Sequence, residues 1–143
     1  MKKIIAISLL AVMAYIPSAM ASSMISPAPE NAKVYFISPQ DGDVVDKNFT
    51  VKFGLSNMGV APAGVDKKNT GHHHLLINKD ISSVDTSKPL PGSDQLKHFG
   101  GGQTETQLEL TPGKHTLQLL LGNHLHIPHD KPVVSEKITI TVK

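Results

Sequence analysis

Histidine is the residue type whose number and spacing in this sequence suggest chemistry. Eight histidines occur in 143 residues, and most of them fall into three groups, namely His72–His74, His98 before three glycines, and His124, His126 and His129. Neutral imidazole is the commonest metal ligand that proteins supply. Three or four imidazoles held together suit Zn²⁺, Cu²⁺ or Ni²⁺. The sequence therefore predicts a metal site built from histidines.

Spacing within two of the groups indicates which rings act together. Residues i and i+2 of a strand point to one face, so His72 and His74 project together, as do His124 and His126 if that segment is extended. Asp130 is a candidate oxygen ligand or hydrogen-bond acceptor for a ring N–H. The predicted metal ligands are His72, His74, His98, His124, His126 and His129.

Other roles compete with ligation at several of these positions. The triplet also fits a polar strand edge, and His98 and His129 also fit structural positions in loops. His73 shares a strand face with Leu75 and Ile77, which predicts that it faces the core. His115 follows a Pro-Gly turn, where a ring N–H bonded to a backbone carbonyl is the favoured interpretation. We therefore predict structural roles for His73 and His115.

Short strands separated by turns must position these histidines. Apolar and polar residues alternate with a period of two from Phe49 to Leu55 and from Leu117 to Leu121, and no stretch has the pattern of an amphipathic helix. We predict that the Phe49/Val51/Phe53 and Leu117/Leu119/Leu121 faces are buried. Strands are predicted at residues 33–38, 48–56, 72–78, 105–110, 115–121 and 135–142. This pattern predicts an all-β fold, an immunoglobulin-like antiparallel β-sandwich, with an open barrel as the alternative.

An immunoglobulin-like strand order brings the three groups of histidines together. In that order the second-to-third, fourth-to-fifth and sixth-to-seventh strand connections gather at one end of the sandwich. All three groups lie in or beside these connections, whereas His115 follows a turn at the other end. We therefore expect His72 or His74 to lie close to His124 or His126.

The N-terminus has the pattern of an exported protein. Lys2 and Lys3 precede an apolar run from Ile4 to Ile16, and Ala19–Ala21 fits an A-x-A cleavage site. The run is too short to span a bilayer. We expect a signal peptide at residues 1–21, a flexible lead-in at 22–32 and one β-sandwich domain at 33–143. The protein is then periplasmic or secreted, without a membrane anchor after cleavage.

Composition excludes several classes of function. The chain has no cysteine, which removes disulfides, thiolate metal sites and cysteine nucleophiles. Lys2 and Lys3 account for the formal net charge of +2, so the chain after the predicted cleavage is neutral when its histidines are neutral. It also lacks arginine. Phosphate recognition depends on positive charge and on arginine, so we expect no nucleic-acid partner.

Four segments carry a distinctive combined signature, and they are Gly71–Ile77, His98–Glu105, Leu110–Leu117 and Gly122–Asp130. Together they resemble a family of exported bacterial domains catalogued as of unknown function, over about residues 69–142. The resemblance includes His73 and His115 as well as the predicted ligands. It implies export and no particular activity.

Three functions fit these observations. The first is an exported metal-binding protein, a carrier, buffer or accessory factor for Cu(II) or Zn(II), because a chain without thiolates supplies a soft Cu(I) site poorly. The second is a binding or assembly module that uses the same loops to contact a periplasmic protein or a glycan. The third is a metalloenzyme with three histidines and a water. It ranks last, because Asp130 is the only positioned carboxylate and no nucleophile motif occurs.

Overall fold

Strands form where apolar and polar residues alternate, and the computed structural model, which describes residues 24–143, contains nine of them and one short 3₁₀ helix. The strands are β1 (Lys33–Ser38), β2 (Val44–Val45), β3 (Asn48–Ser56), β4 (Gly59–Val60), β5 (Thr70–Ile77), β6 (Leu96–His98), β7 (Glu105–Glu109), β8 (Gly113–Gly122) and β9 (Ile138–Val142). Within residues 24–143, no helix has the length and apolar character that crossing a bilayer requires. The predicted signal peptide, residues 1–21, lies outside the described residues.

The strands form two sheets. The first has the order β1-β3-β7, and the second has the order β2-β9-β8-β5, with β4 and β6 both paired to the free edge of β5. Pairing is antiparallel except for two-residue contacts of β2 with β9 and of β4 with β5. The predicted immunoglobulin-like antiparallel β-sandwich is thus confirmed.

The main core lies between the two sheets. Alternate residues of each strand point into it, which is the period-2 pattern expected of sandwich strands. Its members include the predicted inward faces of two strands, Phe49, Val51 and Phe53 of β3 and Leu117, Leu119 and Leu121 of β8. Both predicted faces are therefore confirmed.

A second, smaller core covers the outer face of the second sheet. Leu76 points away from the main core because its neighbours Leu75 and Ile77 point into it. It packs with Leu90, Leu96 and Leu120, which are all buried. Strand β5 is consequently buried on both faces, and His72 and His74 continue the outward row that Leu76 begins.

Some predicted strand bounds shift. The predicted strand 72–78 is Thr70–Ile77, and the last strand begins at Ile138 rather than at residue 135. Ser135 does not join the ladder of β9, because its hydroxyl accepts a hydrogen bond from Leu119 N at 2.9 Å while its own N–H donates to Leu119 O. A side chain thus replaces one backbone ladder bond there.

The described part of the lead-in, residues 24–32, is hydrogen-bonded to the loop that follows β8. Asp130 Oδ1 accepts from Ala28 N at 3.0 Å, and Asp130 N donates to Ser26 O. The side-chain amide of Asn123 donates to Met24 O at 2.8 Å. These bonds attach the start of the described chain to the histidine-rich loop.

Candidate metal centre

Strand β5 places adjacent histidines on opposite faces of the second sheet. His72 and His74 point outward and His73 points into the core, and all three are 0% exposed. On one side His72 pairs with Gly122 of β8, and on the other His74 pairs with His98 of β6. Backbone pairing on both sides therefore fixes where His72 and His74 lie.

Strand β6 brings His98 beside His74. Its anchor is Leu96, which is buried in the outer core, whereas His98 is exposed. A Cβ at Gly100 would collide with the His98 ring, so the glycine after this strand leaves the space that the ring occupies. Gly100 therefore serves a close approach between backbone and ring, which a residue without a Cβ permits.

A matching gap lies under His74. A Cβ at Gly122 would fall 2.6 Å from Cε1 of the His74 ring, far inside van der Waals contact. Gly122 pairs with His72 across the sheet, and because it has no side chain the ring of His74 can lie against its backbone. Sequence reasoning did not single out this residue, although a glycine that ends a leucine-rich strand signals a close approach.

His126 reaches the cluster from a tight loop after β8. Asn123 is buried, and its side-chain oxygen accepts hydrogen bonds from Leu125 N and Ile127 N. Inside this loop His126 has φ +65°, a left-handed conformation that few residues other than glycine and asparagine adopt. Leu90 N donates to the carbonyl of His126 at 2.9 Å, so the strained residue is held from outside the loop as well.

The loop directs the ring of His126 at His72, with 3.1 Å between His126 Nδ1 and His72 Nε2. Four rings meet here, and one nitrogen from each lies within 4.8 Å of the other three; the rings are those of His72, His74, His98 and His126. Their centroids are separated by 4.5 Å for His98 and His126 and by 6.2 Å for His74 and His126. We call these four residues the histidine cluster.

The spacing of the histidine cluster is close to what a four-coordinate ion requires. Zinc–imidazole bonds of about 2.0–2.1 Å place tetrahedral ligand atoms roughly 3.3 Å apart. The 3.1 Å separation of His72 and His126 nitrogens already matches that distance. The widest separations, up to 4.8 Å, require inward movements on the order of 0.7 Å per ring. The cluster can hold a metal ion.

Hydrogen bonds within the protein leave ring nitrogens of the cluster unused. Nδ1 of His72 and both ring nitrogens of His74 are buried without a hydrogen-bond partner among the described residues. The backbone of His72 lies near the His74 ring and raises its pKa, as the weakest of the influences on it, but the geometry does not make a hydrogen bond to either ring nitrogen. Leaving a buried polar atom unpaired costs about 1–3 kcal/mol. A cation at the centre of the cluster would give a partner to one of the two unpaired nitrogens of His74.

Electrostatics keep the inner rings in the form that binds metals. Burial, followed by repulsion from His126 and His98, lowers the pKa of His72 to about 4. Burial, followed by repulsion from His72 and His98, lowers the pKa of His74 to about 3. Burial and His126 also lower the pKa of His98. These three rings are therefore neutral at pH 7, which is the protonation state of a ligand.

Two predicted ligands lie apart from the histidine cluster. His124 Nδ1 is 3.5 Å from Asp66 Oδ1, and the loop is a turn rather than the extended segment that would put His124 beside His126. His129 is buried, with Nε2 3.3 Å from the carbonyl oxygen of Thr70, and burial lowers its pKa. Of the six predicted ligands, the structure brings four together and leaves these two outside.

His73 and His115 are placed as predicted. His73 lies in the core with its ring centroid 5.1 Å from that of Phe53, and burial lowers its pKa to about 4. His115 stands at the other end of β8, where Nε2 lies 2.7 Å from Thr111 O and Nδ1 lies 2.8 Å from Asn78 Nδ2. The ring therefore donates from Nε2 to the carbonyl and accepts at Nδ1 from the amide.

Fold and site together define an immunoglobulin-like β-sandwich with a histidine cluster on the outer face of its larger sheet. The family model described as Domain of unknown function (DUF4399) matches residues 51–143, and the chain belongs to that family. This agrees with the resemblance that the sequence signature carries. A comparison with curated proteins finds no match.

The solved structures that match this chain do so at low sequence identity. An endo-beta-1,4-mannanase from Thermotoga petrophila is 19% identical over 78% of this chain, with a TM-score of 0.46, and the match spans only 20% of the mannanase. Fibronectin(III)-like modules of Clostridium thermocellum CbhA are 9% identical over 76% of this chain and 92% of theirs, with a TM-score of 0.36. The PKD domain of human KIAA0319 is 10% identical over 90% and 92%, with a TM-score of 0.38.

Proposed function

We propose that this chain is an exported protein that binds one divalent metal ion, Cu(II) or Zn(II), and serves as a periplasmic or secreted carrier, buffer or accessory factor. The ligands are the four members of the histidine cluster. One observation carries the proposal, which is the convergence of four ring nitrogens within 4.8 Å of one another from strands β5 and β6 and from the loop after β8.

A network of hydrogen bonds among the rings explains the cluster less well than a metal does. Two neutral imidazoles 3.1 Å apart can share one hydrogen bond, which accounts for His72 and His126. It leaves His74 with two unpaired nitrogens at 0% exposure. An ion bound at the centre of the cluster gives a role to one nitrogen of every ring, including His74.

The donor set favours borderline metals. All four ligands are imidazoles, and among the described residues no carboxylate or thiolate joins them. Imidazole suits Zn²⁺ and Cu²⁺, whereas Ca²⁺ and Mg²⁺ prefer oxygen ligands and Cu(I) prefers sulfur. Copper and zinc differ in the arrangement of imidazole rings that they prefer when bound, so the titration includes both ions.

The test is a metal titration of the untagged, exported protein by calorimetry, with Cu²⁺ and Zn²⁺ in separate experiments. Wild type should bind one ion per chain. His126→Asn keeps a residue that tolerates the left-handed backbone and removes one imidazole, so its Kd should rise at least about tenfold. His124→Asn is the matched control from the same loop, and it should bind like wild type.

Two outcomes would overturn the proposal. Absence of saturable binding by the wild type would favour the binding or assembly module, in which the same loops contact a protein or glycan. Equal weakening by the His124 and His126 substitutions would mean that the ion binds histidines nonspecifically.

A further inference from the structure

The four members of the histidine cluster differ in how accessible they are. His72 and His74 are fully buried, His126 is half-buried and His98 is exposed. A solvent-borne ligand can therefore reach a bound ion from the side of His98 and not through strand β5. Access to the ion is one-sided.

The four residues also differ in how firmly the backbone holds them. His72 and His74 lie on a strand paired along both edges, and His126 lies in a loop closed by Asn123 and by Leu90. His98 ends a three-residue edge strand and precedes Gly100, Gly101 and Gly102. Among the described strands, β6 pairs with none other than β5, and beyond it Phe99 N donates to His73 O. His98 therefore has less backbone pairing around it than His72 and His74 have.

Resting on the proposed function, we propose that the metal enters and leaves through His98, the one exchangeable ligand, while His72, His74 and His126 stay bound. A ligand from the receiving molecule donates a lone pair to the ion as the bond from the ion to the His98 nitrogen breaks. His98 leaves as a neutral imidazole, so neither a proton nor an electron needs to be transferred. The partner is therefore a molecule that presents a metal ligand at the His98 side, with which the protein forms a transient shared complex.

The test measures transfer of Cu²⁺ or Zn²⁺ from loaded protein to excess 4-(2-pyridylazo)resorcinol, a chelator whose visible absorption changes when it binds either ion, by stopped-flow spectroscopy at several chelator concentrations. For the wild type the rate should rise in proportion to chelator concentration, because the chelator displaces His98. In His98→Ala a water occupies that position, so the second-order rate constant should rise at least about tenfold. His98 is exposed at a sheet edge, so its loss should leave the fold intact.

Glycine substitutions give a second variant that removes no imidazole. Gly100→Ala places a methyl group against the His98 ring and should displace it, raising the second-order rate constant as His98→Ala does. Gly92→Ala is the matched control, since a Cβ there meets no atom within 4 Å, and it should transfer like wild type. Gly122→Ala displaces the buried ring of His74 instead, and it should raise only the chelator-independent rate.

The results separate the two proposals. Failure of the proposed function appears before any transfer, as wild type that does not load. If wild type loads, an unchanged second-order rate constant in both His98→Ala and Gly100→Ala would overturn the exchange route. So would an equal increase of that constant in His126→Asn, because it would mean that no single ligand controls access.

Discussion

The two ends of strand β8 show two uses of histidine. At its start, His115 has both ring nitrogens paired, with Thr111 O and Asn78 Nδ2. Beside its end, His74 has both ring nitrogens buried and unpaired within the described residues, and three other imidazoles surround it. His115 uses its nitrogens to bond the protein, whereas His74 keeps lone pairs that the proposed metal ion would use.

Burial alone does not separate the two uses, as His73 illustrates. It is as buried as His74 and its ring nitrogens also lack side-chain partners, yet it packs on the aromatic rings of the core rather than on other imidazoles. Convergence of several rings on one point is the distinguishing feature.

The largest effect is expected from removing both ligands of the central strand. His72→Ala combined with His74→Ala leaves two imidazoles, too few for a closed four-coordinate site, so we expect loss of at least three orders of magnitude in affinity. Bound metal stabilises the native state by mass action. The rise in Tm that one equivalent of Zn²⁺ produces in wild type should therefore vanish. A retained rise would contradict the assignment of β5 as the source of ligands.

Metal-free protein should lose stability in mild acid. The pKa values of His72 and His73 are about 4 in the folded state, below the ordinary value of 6.5 that applies when unfolded. The unfolded state then binds more protons, so stability present above pH 6.5 is lost as pH falls toward 4. The loss is on the order of 3 kcal/mol for each of these residues.

Urea unfolding of the metal-free protein at pH 7, 5.5 and 4.5 measures this loss. His73→Phe, placed beside Phe53, should make the pH dependence shallower while leaving the histidine cluster in place. Stability that stays constant from pH 7 to 4.5 would show that the buried imidazoles are not held neutral.

A core substitution should separate stability from binding. Leu119 is 0% exposed between the sheets, so Leu119→Ala should cost about 2–5 kcal/mol through the cavity it leaves. Metal stoichiometry should not change, because Leu119 points away from the cluster face. Leu125→Ala, at an exposed loop position, is the control and should change stability by less than about 0.5 kcal/mol. Denaturant titration with and without metal distinguishes the two effects.

The smallest effect is expected at the His115 corner. His115→Ala removes two hydrogen bonds at a half-exposed site and should cost about 1–2 kcal/mol. Its affinity for Cu²⁺ and Zn²⁺ should equal that of wild type. Weaker metal binding by this variant would contradict the assignment of His115 to a purely structural role.

The sequence predicts which face of a sheet a side chain points to better than it predicts contacts made by loops. Alternation along a strand is enough to place His72 and His74 outward and His73 inward, because the side-chain period of a strand is fixed at two. The same rule fails at His124 and His126, because Asn123 closes a turn in which His126 is left-handed. Hydrogen bonds between a side chain and distant backbone groups decide such a turn, and their geometry leaves no periodic pattern.

Pairing between distant segments likewise could not be predicted from the sequence. The arrival of His98 beside His74 depends on a three-residue strand, β6, that the residue pattern does not reveal. Its register is set by Leu96 entering the outer core with Leu76 and Leu90. The strand order of an immunoglobulin-like fold predicted the right end of the sandwich for these rings, but not the outer face of the sheet.

A crystal structure of the zinc-loaded protein, with anomalous diffraction data at the zinc edge, would locate the ion relative to the histidine cluster. We expect one strong peak per chain, about 2.0–2.1 Å from one nitrogen of each of His72, His74, His98 and His126. A peak beside His124 and Asp66, a peak at His129, or no ordered peak at one equivalent of zinc would contradict the assignment of the histidine cluster as a metal site.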